Sequence, residues 1–532
     1  MLPPRFFIHK SIQKLCASIL SLHGRPGEVC MLFPTISTAT RCRNFIKARS
    51  LSTPPPCVRV IELIPRLGQD ATISSGLCAV LFPADEFKIA KQFWQHSGDG
   101  VSSRRAEFCQ QELDNGLLRE KGIPDEVAVR PAKGPKRYSR VSVDKGHVGT
   151  EGTDTSRFVE ERFGRNLGVE FVANAKLAVR RRIAGTLRSN VAPSDALALK
   201  DEGGRDVPGF TEEDVYLFPS GMSAIFNSHR LLLEALEPRK SVCYGFPYID
   251  TLKILEKFGP GCHFYGHGSA EDLDDLEAKL TSGERVMALF CEFPGNPLLA
   301  SPDLQRIRKL ADQYDFAVIV DETLGNPLNV HVLPLADMVA SSLTKVFSGD
   351  SNVMGGSMVL NPKSRYYATL KAKLATEYED NLWAEDALFL ERNSRDFVSR
   401  IERINANAEA VCELLLQHPK IKRVYYPKNS PTRAFYDACR CTDGGYGGLL
   451  SVTFYSMEDA IRFFDAVETA KGPSLGTNFT LTSPYAILAH YGELEWAAKY
   501  GVESNLVRVS IGLEETVGLV QTFAKALRVL ET

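Results

Sequence analysis

The chain has 532 residues, more than one hydrophobic core can organise, so two or three domains are expected. Hydrophobic residues make up 44% and charged residues 24%, which is typical of a soluble globular protein. A net charge of -2, without an arginine–aromatic surface pattern, gives no indication of nucleic-acid binding. No apolar run reaches the roughly 18 residues that a membrane span needs, so we expect neither nucleic acid nor a membrane as a partner.

The twelve cysteines are scattered along the chain. Their spacing matches no metal-binding pattern, and the lone Cys439-x-Cys441 pair is a weak signal. Scattered thiols are typical of free, mostly buried cysteines in a reducing compartment. We therefore predict no metal site and a cytoplasmic protein.

The first 53 residues are rich in Lys and Arg and contain a single acid, Glu28. This imbalance is typical of a mitochondrial presequence. The same stretch, however, has the pattern helix, strand, helix in SIQKLCASIL, VCMLFP and TATRCRNFIKA, and further strands follow in CVRVIELIP and ATISSGLCAVLF. We therefore predict a folded amino-terminal α/β extension, residues 1–130, without catalytic residues, and prefer a cytoplasmic location over a mitochondrial one.

A change of composition separates this extension from the rest of the chain. Residues 131–156 are rich in Lys, Gly, Ser and Thr and have few large apolar side chains, which indicates a linker. A helix is predicted from about Ser156 to Leu187, and its basic run Arg180–Arg182 is interpreted as a solvated face or an interface rim. Residues 189–213 are predicted to form a loop.

From Val215 onward, apolar strands alternate with amphipathic helices. The alternation predicts an α/β domain, residues 157–395 with an amino-terminal arm, built on a mostly parallel sheet that helices cover on both faces. Ligands bind at the carboxyl ends of the strands in such sheets. Polar side chains fall at these predicted ends: Ser220, Tyr248, Glu292, Asn296, Asp321 and Lys345.

The pattern changes again after a long helical segment, which is predicted from about Lys363 to Leu416. Strands are predicted in IKRVYYP, GGLLSVTFYS and NLVRVSIGL, and helices in MEDAIRFFDAVETA and TVGLVQTFAKALRVL. This predicts a smaller α+β carboxyl-terminal domain, residues 396–532.

Lys345 and Asp321 are the first candidates for chemistry. Lys345 stands in a loop of small hydroxylated residues, and an amine attacks an aldehyde only when neutral, which requires burial or a nearby positive charge. Asp321 ends the apolar run FAVIV, where a carboxylate is costly to bury unless it has a partner such as a protonated pyridine nitrogen. The alternatives are a surface lysine and a strand-end acid that caps a turn.

The strand-to-helix turn Ser220-Gly221-Met222 is a candidate phosphate site. A glycine allows backbone N–H groups to approach a phosphate, and a helix amino terminus adds positive potential. Tyr248 is a candidate for stacking on a cofactor ring. A generic glycine turn and a core aromatic are the alternatives for these two features.

Asn296 and Arg508 are candidates for binding a substrate carboxylate. Arg508 lies in an otherwise apolar strand, where a guanidinium needs a partner, and a carboxylate suits its planar fork. An internal ion pair with a nearby acid such as Glu514 is the alternative.

Taken as a set, these segments resemble the Cys/Met-metabolism family of pyridoxal-phosphate enzymes, and most closely its fungal cystathionine γ-synthase branch. The resemblance covers roughly Ser156 to the end, and PRFFIHKSIQ and VRVIELIP also resemble the amino-terminal extension of that branch. It rests on RFGRNL (162–167), PSGMSAI (219–225), FPGNPLL (293–299), VDETLGNP (320–327), SSLTKVFSGDSNVMGG (341–356), SLGTNFTLTSP (474–484) and LVRVSIGLE (506–514).

The resemblance implies a PLP-dependent transferase of fold type I, with pyridoxal 5′-phosphate (PLP) as cofactor. It implies that Lys345 holds the cofactor and moves protons, that Tyr248 stacks on the ring as a second catalytic residue, and that Asp321 pairs with the ring nitrogen. Further cofactor contacts are implied for Ser220, Gly221, Met222, Thr323, Ser342 and Thr344. Substrate contacts are implied for Arg508, Asn296 and Thr480.

In this family a Tyr-x-Arg pattern reaches the phosphate from a neighbouring subunit. The matching place reads Phe163-Gly164-Arg165, so the arginine is present and the phenol is absent. The resemblance implies that Arg165 binds the cofactor across a subunit boundary, in a homo-oligomer that is a dimer of dimers.

The implied reaction is a γ-replacement that joins an O-acylhomoserine and L-cysteine. Some family members carry an acid two positions before the leucine of the substrate loop, where this chain has Phe479. The resemblance therefore specifies the cofactor more narrowly than the second substrate. Sulfide addition, a lyase reaction and a non-catalytic regulatory relative remain the alternatives.

Overall fold

The computed structural model describes residues 7–66, 76–122, 171–191, 195 and 204–531. These residues form three sheets of four, seven and five strands, each packed against helices. The predicted α/β class, with an amino-terminal extension and a smaller carboxyl-terminal domain, is confirmed. All twelve cysteines are free, and no described helix is long and apolar enough to cross a membrane.

The amino-terminal extension has a four-stranded antiparallel sheet of order β1-β3-β2-β4. Its predicted strands and helices are present, except that the first five residues of the predicted strand ATISSGLCAVLF lie outside the described residues. Its central strand LCAVLFP is buried along almost its whole length, because helices cover both faces of the sheet. The strands are β1 Glu28–Phe33, β2 Arg59–Pro65, β3 Leu77–Pro83 and β4 Leu118–Glu120. The helices are α1 Lys10–His23, α2 Ile36–Arg49, α3 Phe87–Ser97 and α4 Ser103–Asp114.

The second domain contains the predicted large sheet and helices α5 Val172–Ala184, α6 Gly221–Ala235, α7 Ile249–Lys257, α8 Ala270–Thr281, α9 Leu304–Tyr314, α10 Asn326–Asn329, α11 Tyr367–Glu377 and α12 Ala384–Asn393. Its strands are β5 Val215–Phe218, β6 Ser241–Tyr244, β7 Cys262–Tyr265, β8 Ala288–Glu292, β9 Ala317–Asp321, β10 Met338–Ser342 and β11 Gly356–Leu360. The sheet order is β5-β11-β10-β9-β8-β6-β7, and β11 alone runs antiparallel to its neighbours.

The extension and the second domain share a hydrophobic core. Helices α2 and α3 lie between the extension's sheet and helices α6 and α7, so that Phe93 of α3 packs in one cluster with Phe226 of α6 and Ile254 of α7. Since all three side chains are at most 4% exposed, the extension is docked on the large domain through apolar contact, not tethered beside it.

The region between these two domains lies partly outside the described residues. The predicted linker 131–156 lies outside the described residues, as does the first part of the predicted helix, up to residue 170. Within α5, the interpretation of the basic run as solvated is wrong for Arg182, which is 5% exposed and pairs with buried Glu391 at 3.0 Å. Burial of this arginine is possible because an equally buried carboxylate faces it.

The predicted carboxyl-terminal α+β domain has a five-stranded sheet of order β12-β13-β16-β15-β14. The predicted long helical segment before it is broken into three helices, Tyr367–Glu377, Ala384–Asn393 and Phe397–Leu416. Its strands are β12 Ile421–Tyr425, β13 Leu449–Phe454, β14 Ala470–Lys471, β15 Leu481–Ser483 and β16 Val507–Ser510. Its helices are α13 Phe397–Leu416, α14 Arg433–Asp437, α15 Met457–Ala466, α16 Tyr485–His490, α17 Leu494–Lys499 and α18 Thr516–Arg528.

The sheet topology brings four chain segments to one place. Strands β6, β8, β9 and β10 are parallel neighbours, so their carboxyl ends lie side by side. Register pairs Glu292 with Asp321, and Asp321 with Ala340, two residues before the end of β10. Helix α6 begins at this edge, where a Cβ on Gly221 would lie 2.6 Å from the Ser342 Cβ.

Candidate functional site

Lys345 lies in the loop that follows β10. Its Nζ donates a hydrogen bond of 3.1 Å to the Ser474 hydroxyl, on the loop that precedes β15. Burial, together with the charge of Arg508, lowers the pKa of Lys345 to about 8. A substantial fraction of the amine is therefore neutral near physiological pH, as attack on an aldehyde requires. Ser474 was not singled out from the sequence, although SLGTNFTLTSP contains it.

Asp321 is the last residue of β9, and its carboxyl is half-buried. Its Oδ1 accepts the Thr323 N–H at 2.8 Å, and the Thr323 hydroxyl in turn accepts the Ser342 N–H at 2.8 Å. Burial raises the pKa of Asp321. Within the described part of the chain no basic side chain pairs with this carboxyl, so a protonated ring nitrogen would complete it.

The first turn of α6 forms the predicted phosphate site. Ser220 caps the helix, since its hydroxyl accepts the Ser223 N–H at 3.1 Å. The N–H groups of Gly221 and Met222 have no acceptor inside the helix, because the first turn of any helix leaves such donors. Ser342 approaches Gly221 so closely that a larger residue there would collide with it. This makes a narrow cradle lined by backbone donors.

Two hydroxyls that were predicted to contact the phosphate have partners in the protein. Ser220 donates to the carbonyl oxygen of Gly98 at 3.1 Å, in addition to capping α6. The Thr344 hydroxyl bonds both backbone groups of Gly355, at 3.1 Å to the N–H and 3.3 Å to the oxygen. These two side chains shape the cradle, and the N–H groups of α6 remain the donors that point to an anion.

Tyr248 and Asn296 are brought together by Glu292, which the sequence placed at a strand end but assigned no role. Glu292 accepts the backbone N–H of Tyr248 and, at 3.1 Å, that of Asn296. Burial, reinforced by the charge of neighbouring Asp321, raises the pKa of Glu292 to about 8. Its carboxyl therefore ties the predicted ring-stacking residue to the predicted substrate residue.

Arg508 is only 3% exposed, and its hydrogen bonds go to neutral oxygens. One nitrogen donates to Asn296 Oδ1 at 3.0 Å, and the other donates to the carbonyl oxygens of Pro473 and Ser474 at 2.6 and 2.8 Å. The guanidinium lies over the Tyr485 ring, 4.6 Å from its centroid. Within the described residues no carboxylate neutralises it, although burial lowers its pKa to about 10.

Glu514, the alternative partner for Arg508, bonds Thr480 instead. It accepts both the Thr480 N–H, at 2.5 Å, and the Thr480 hydroxyl, at 2.8 Å. The interpretation of an internal Arg508–Glu514 pair is therefore wrong. The Thr480 hydroxyl also accepts the Gly512 N–H at 3.0 Å, and within the described residues no hydrogen bond joins Thr480 to Arg508. Arg165 lies outside the described residues.

A family model described as "Cys/Met metabolism PLP-dependent enzyme" matches residues 211–528. The chain belongs to this family. A second model, described as "Fungal trans-sulfuration enzyme, N-terminal domain", matches residues 11–102.

Curated relatives and a solved structure agree with this assignment. The chain is 53% identical to cystathionine γ-synthase of Neurospora crassa, over 99% of this chain and 92% of that protein. It is 41% identical to cystathionine γ-synthase of Saccharomyces cerevisiae, over 98% and 92%. A crystal structure of cystathionine γ-synthase from Xanthomonas oryzae pv. oryzae, 24% identical, covers 67% of this chain and 98% of its own with a TM-score of 0.53, which shows the shared fold.

Membership of the family makes the protein a PLP-dependent enzyme. The residues present fit that cofactor on three independent counts. Asp321 is a half-buried carboxyl that pairs with no cation among the described residues, Lys345 has a lowered pKa, and Gly221 opens a cradle beside the first turn of α6 that a Cβ would close.

Proposed function

We propose that this protein is a cystathionine γ-synthase, which joins an O-acylhomoserine and L-cysteine to give cystathionine and a carboxylic acid in the biosynthesis of methionine. The observation that carries the proposal is the position of Lys345 and Arg508 on either side of Ser474. The lysine bonds its hydroxyl and the arginine bonds its carbonyl oxygen. An amine and a carboxylate-binding cation in such proximity suit an α-amino acid.

The cofactor roles follow from the contacts of each residue. We assign the covalent attachment to Lys345, the pairing with the ring nitrogen to Asp321, and the stacking on the ring to Tyr248. The phosphate is assigned to the N–H groups of Gly221 and Met222, with Ser220, Ser342, Thr344 and Thr323 shaping the cradle. PLP, when bound, supplies the electron sink that makes the Cα proton of an amino acid acidic.

The substrate is oriented by its carboxylate. Arg508 offers two nitrogens in a buried setting, where a charged pair is strong because water is excluded. Asn296 holds the guanidinium through its amide oxygen, and its amide nitrogen donates to the Tyr485 hydroxyl at 3.1 Å. The second hydrogen of that nitrogen would be available to the same carboxylate. With its carboxylate held there, a substrate would present its Cα proton to Lys345, which bonds the same Ser474 as Arg508.

Lys345 then moves protons between the carbon atoms of the substrate. Its neutral amine takes the proton from Cα and passes it to an acceptor that the bound cofactor would supply. Neutral again, the amine takes a proton from Cβ, and the acyloxy group leaves Cγ with its bonding electron pair. The sulfur of cysteine forms the new Cγ–S bond and loses its proton. Lys345 returns protons to Cβ and Cα, so that one C–O bond has been exchanged for one C–S bond.

Replacement of Lys345 by Ala tests the assignment. We expect the visible absorbance of the attached cofactor to disappear and turnover to fall by about three orders of magnitude, the scale of a lost acid–base group. Lys363→Ala, at an exposed position before α11, is the matched control and should keep both. Absorbance and turnover that survive in Lys345→Ala would refute the assignment.

The alternatives within the family differ in the second substrate. Phe479 is 44% exposed and occupies the position where some relatives carry an acid, which leaves the nucleophile open to test. Purified enzyme should be assayed with O-acetyl- and O-succinylhomoserine, each with cysteine and with sulfide. Faster reaction with cysteine supports cystathionine synthesis, and faster reaction with sulfide would make the protein a sulfhydrylase.

We further propose a cytoplasmic homotetramer, a dimer of dimers, in which Arg165 reaches the phosphate of a neighbouring subunit. Neither Lys345→Ala nor Arg165→Ala subunits should be active alone. If the site is shared, mixing them after dissociation should restore part of the activity, since one hybrid site then has both side chains. Sedimentation gives the size of the assembly, and a fluorescent fusion gives its location. No recovery on mixing would contradict a shared site.

A further inference from the structure

The carboxyl-terminal end of α3 reaches the two elements that are proposed to hold the cofactor. We define residues 95–99 of the amino-terminal extension as the α3 brace. One part of it touches the first turn of α6, where the phosphate is placed. The other part touches the first turn of α7, which follows Tyr248 directly.

Gly98 makes the contact with α6. Its carbonyl oxygen accepts the Ser220 hydroxyl at 3.1 Å, the same hydroxyl that caps the helix. Gly98 has a φ of +63°, which favours glycine, and a Cβ there would lie 2.5 Å from Ser220 Oγ and 2.6 Å from the Ser223 nitrogen. The backbone of the extension is therefore in direct contact with the helix cap.

Asp99 continues this contact along α6. It is 2% exposed, accepts the Ser223 hydroxyl, and accepts the Asn227 amide at 3.2 Å. Arg41 of α2 lies 3.6 Å from its other oxygen. A buried carboxylate that bonds side chains on the first two turns fixes the helix start in rotation and along its axis.

Gln95 and His96 make the contact with α7. The Gln95 amide donates to Asp250 Oδ1 at 2.9 Å, and His96 Nδ1 lies 3.0 Å from the same oxygen. Burial alone would raise the pKa of Asp250. Hydrogen bonds from the side chains of His96, Gln95 and Tyr248 outweigh burial, so that the pKa is lowered. Asp250 thus couples the extension to the residue assigned to stack on the cofactor ring.

We propose that the α3 brace positions the phosphate cradle and the ring-stacking tyrosine, so that the amino-terminal extension is a part of the cofactor site. The inference rests on the cofactor placement proposed above. It assigns no chemistry to the extension. Gly98 and Gln95 are positioning residues, because they act through Ser220 and Asp250.

Cofactor affinity of the apoenzyme tests the proposal at the phosphate end. Gly98→Ala should weaken the binding of PLP by about tenfold, the factor expected for one lost bond to a charged group. It should change the affinity for pyridoxal, which lacks the phosphate, by less than about twofold. Gly27→Ala is the matched control, because Gly27 is also in the extension with a φ of +81° but has nothing within 4 Å of a Cβ.

The ring end gives a different signature. Gln95→Leu removes a hydrogen bond to Asp250. It should weaken the binding of PLP and of pyridoxal by a similar factor of about three, since both compounds carry the ring. If Gly98→Ala does not fold, Ser223→Ala removes the donor to Asp99 from the other side of the same contact and must weaken PLP selectively.

Three results would overturn the brace. Unchanged PLP affinity in Gly98→Ala is one, and equal weakening of PLP and pyridoxal is another, because it indicates general destabilisation. The third is a Gly27→Ala variant that loses as much PLP affinity as Gly98→Ala does. Lys345→Ala in the same titration separates the proposals: loss of absorbance there with a normal Gly98→Ala refutes only the brace, and retained absorbance refutes the cofactor placement itself.

Discussion

Two basic side chains share the centre of the site, Lys345 and Arg508, and they are held in opposite ways. Both bond Ser474, and neither pairs with an acid within the described residues. Lys345 is half-buried, its one side-chain hydrogen bond among the described residues goes to a hydroxyl, and its pKa falls to about 8. Arg508 is almost fully buried with three oxygen acceptors, and its pKa, although lowered to about 10, keeps it charged at neutral pH.

The difference shows how one environment produces two functions. Removing water from a cation favours its neutral form, by an amount that depends on how many dipoles replace the water. The single hydroxyl partner of Lys345 leaves an amine that can lose its proton and react. The carbonyl and amide oxygens around Arg508 preserve a charge that can bind a carboxylate. Neutral partners, rather than acids, keep both groups available.

The largest effect on the reaction is expected from loss of Arg508, the side chain that stays charged. Arg508→Leu should lower kcat/KM for the O-acylhomoserine by about 10²–10³-fold, because a buried carboxylate would lose its partner. Steady-state kinetics measure this, and the cofactor absorbance should stay. Arg423→Leu, on exposed β12 of the same sheet, is the control. An equal loss in both variants would remove the special role of Arg508.

The second-largest effect is expected in the pH dependence of the Lys345 amine. The rate of PLP attachment to the apoenzyme should rise about tenfold between about pH 7 and pH 9, because the neutral fraction of an amine with a pKa of about 8 rises by that factor. Arg508→Leu should move the midpoint upward, since the arginine charge helps to lower the lysine pKa. Stopped-flow absorbance gives both. A wild-type midpoint in the ordinary lysine range would contradict the comparison.

A smaller effect is expected from the amide that orients the guanidinium. Asn296→Ala removes the 3.0 Å bond to Arg508 and should raise KM for the O-acylhomoserine by about fivefold, with less change in kcat. Asn505→Ala is a control in the domain that carries Arg508, because that amide bonds the Phe454 carbonyl. A fall in kcat without a rise in KM would place Asn296 outside substrate binding.

The smallest effect separates the two roles of Ser474. Ser474→Ala deletes the hydroxyl that Lys345 bonds but keeps the carbonyl oxygen that Arg508 bonds. We expect kcat to fall by about threefold and KM for the O-acylhomoserine to stay constant, as one neutral partner of the amine is lost. The unchanged KM in the same kinetic assay is the control. A selective rise in KM would show that the two bases are not independently held.

Much of the secondary structure could be predicted because it is local. The strands that end at Glu292 and Asp321 are apolar runs, and helices α6 and α18 follow amphipathic patterns. Strand β11 was not predicted, because its antiparallel position between β5 and β10 depends on sheet order. The interpretation of Arg182 was wrong for a similar reason, since its partner Glu391 lies more than 200 positions along the chain.

The sequence by itself determined the family, the cofactor, and the positions of Lys345, Asp321, Asn296 and Arg508, because these residues stand in short motifs whose chemistry needs them. Only the tertiary structure decided what each of them contacts. Ser474 reaches Lys345 across 129 positions, and Gly98 reaches Ser220 across 122. Hydrogen bonds over such separations depend on strand order and domain docking, which local periodicity does not encode.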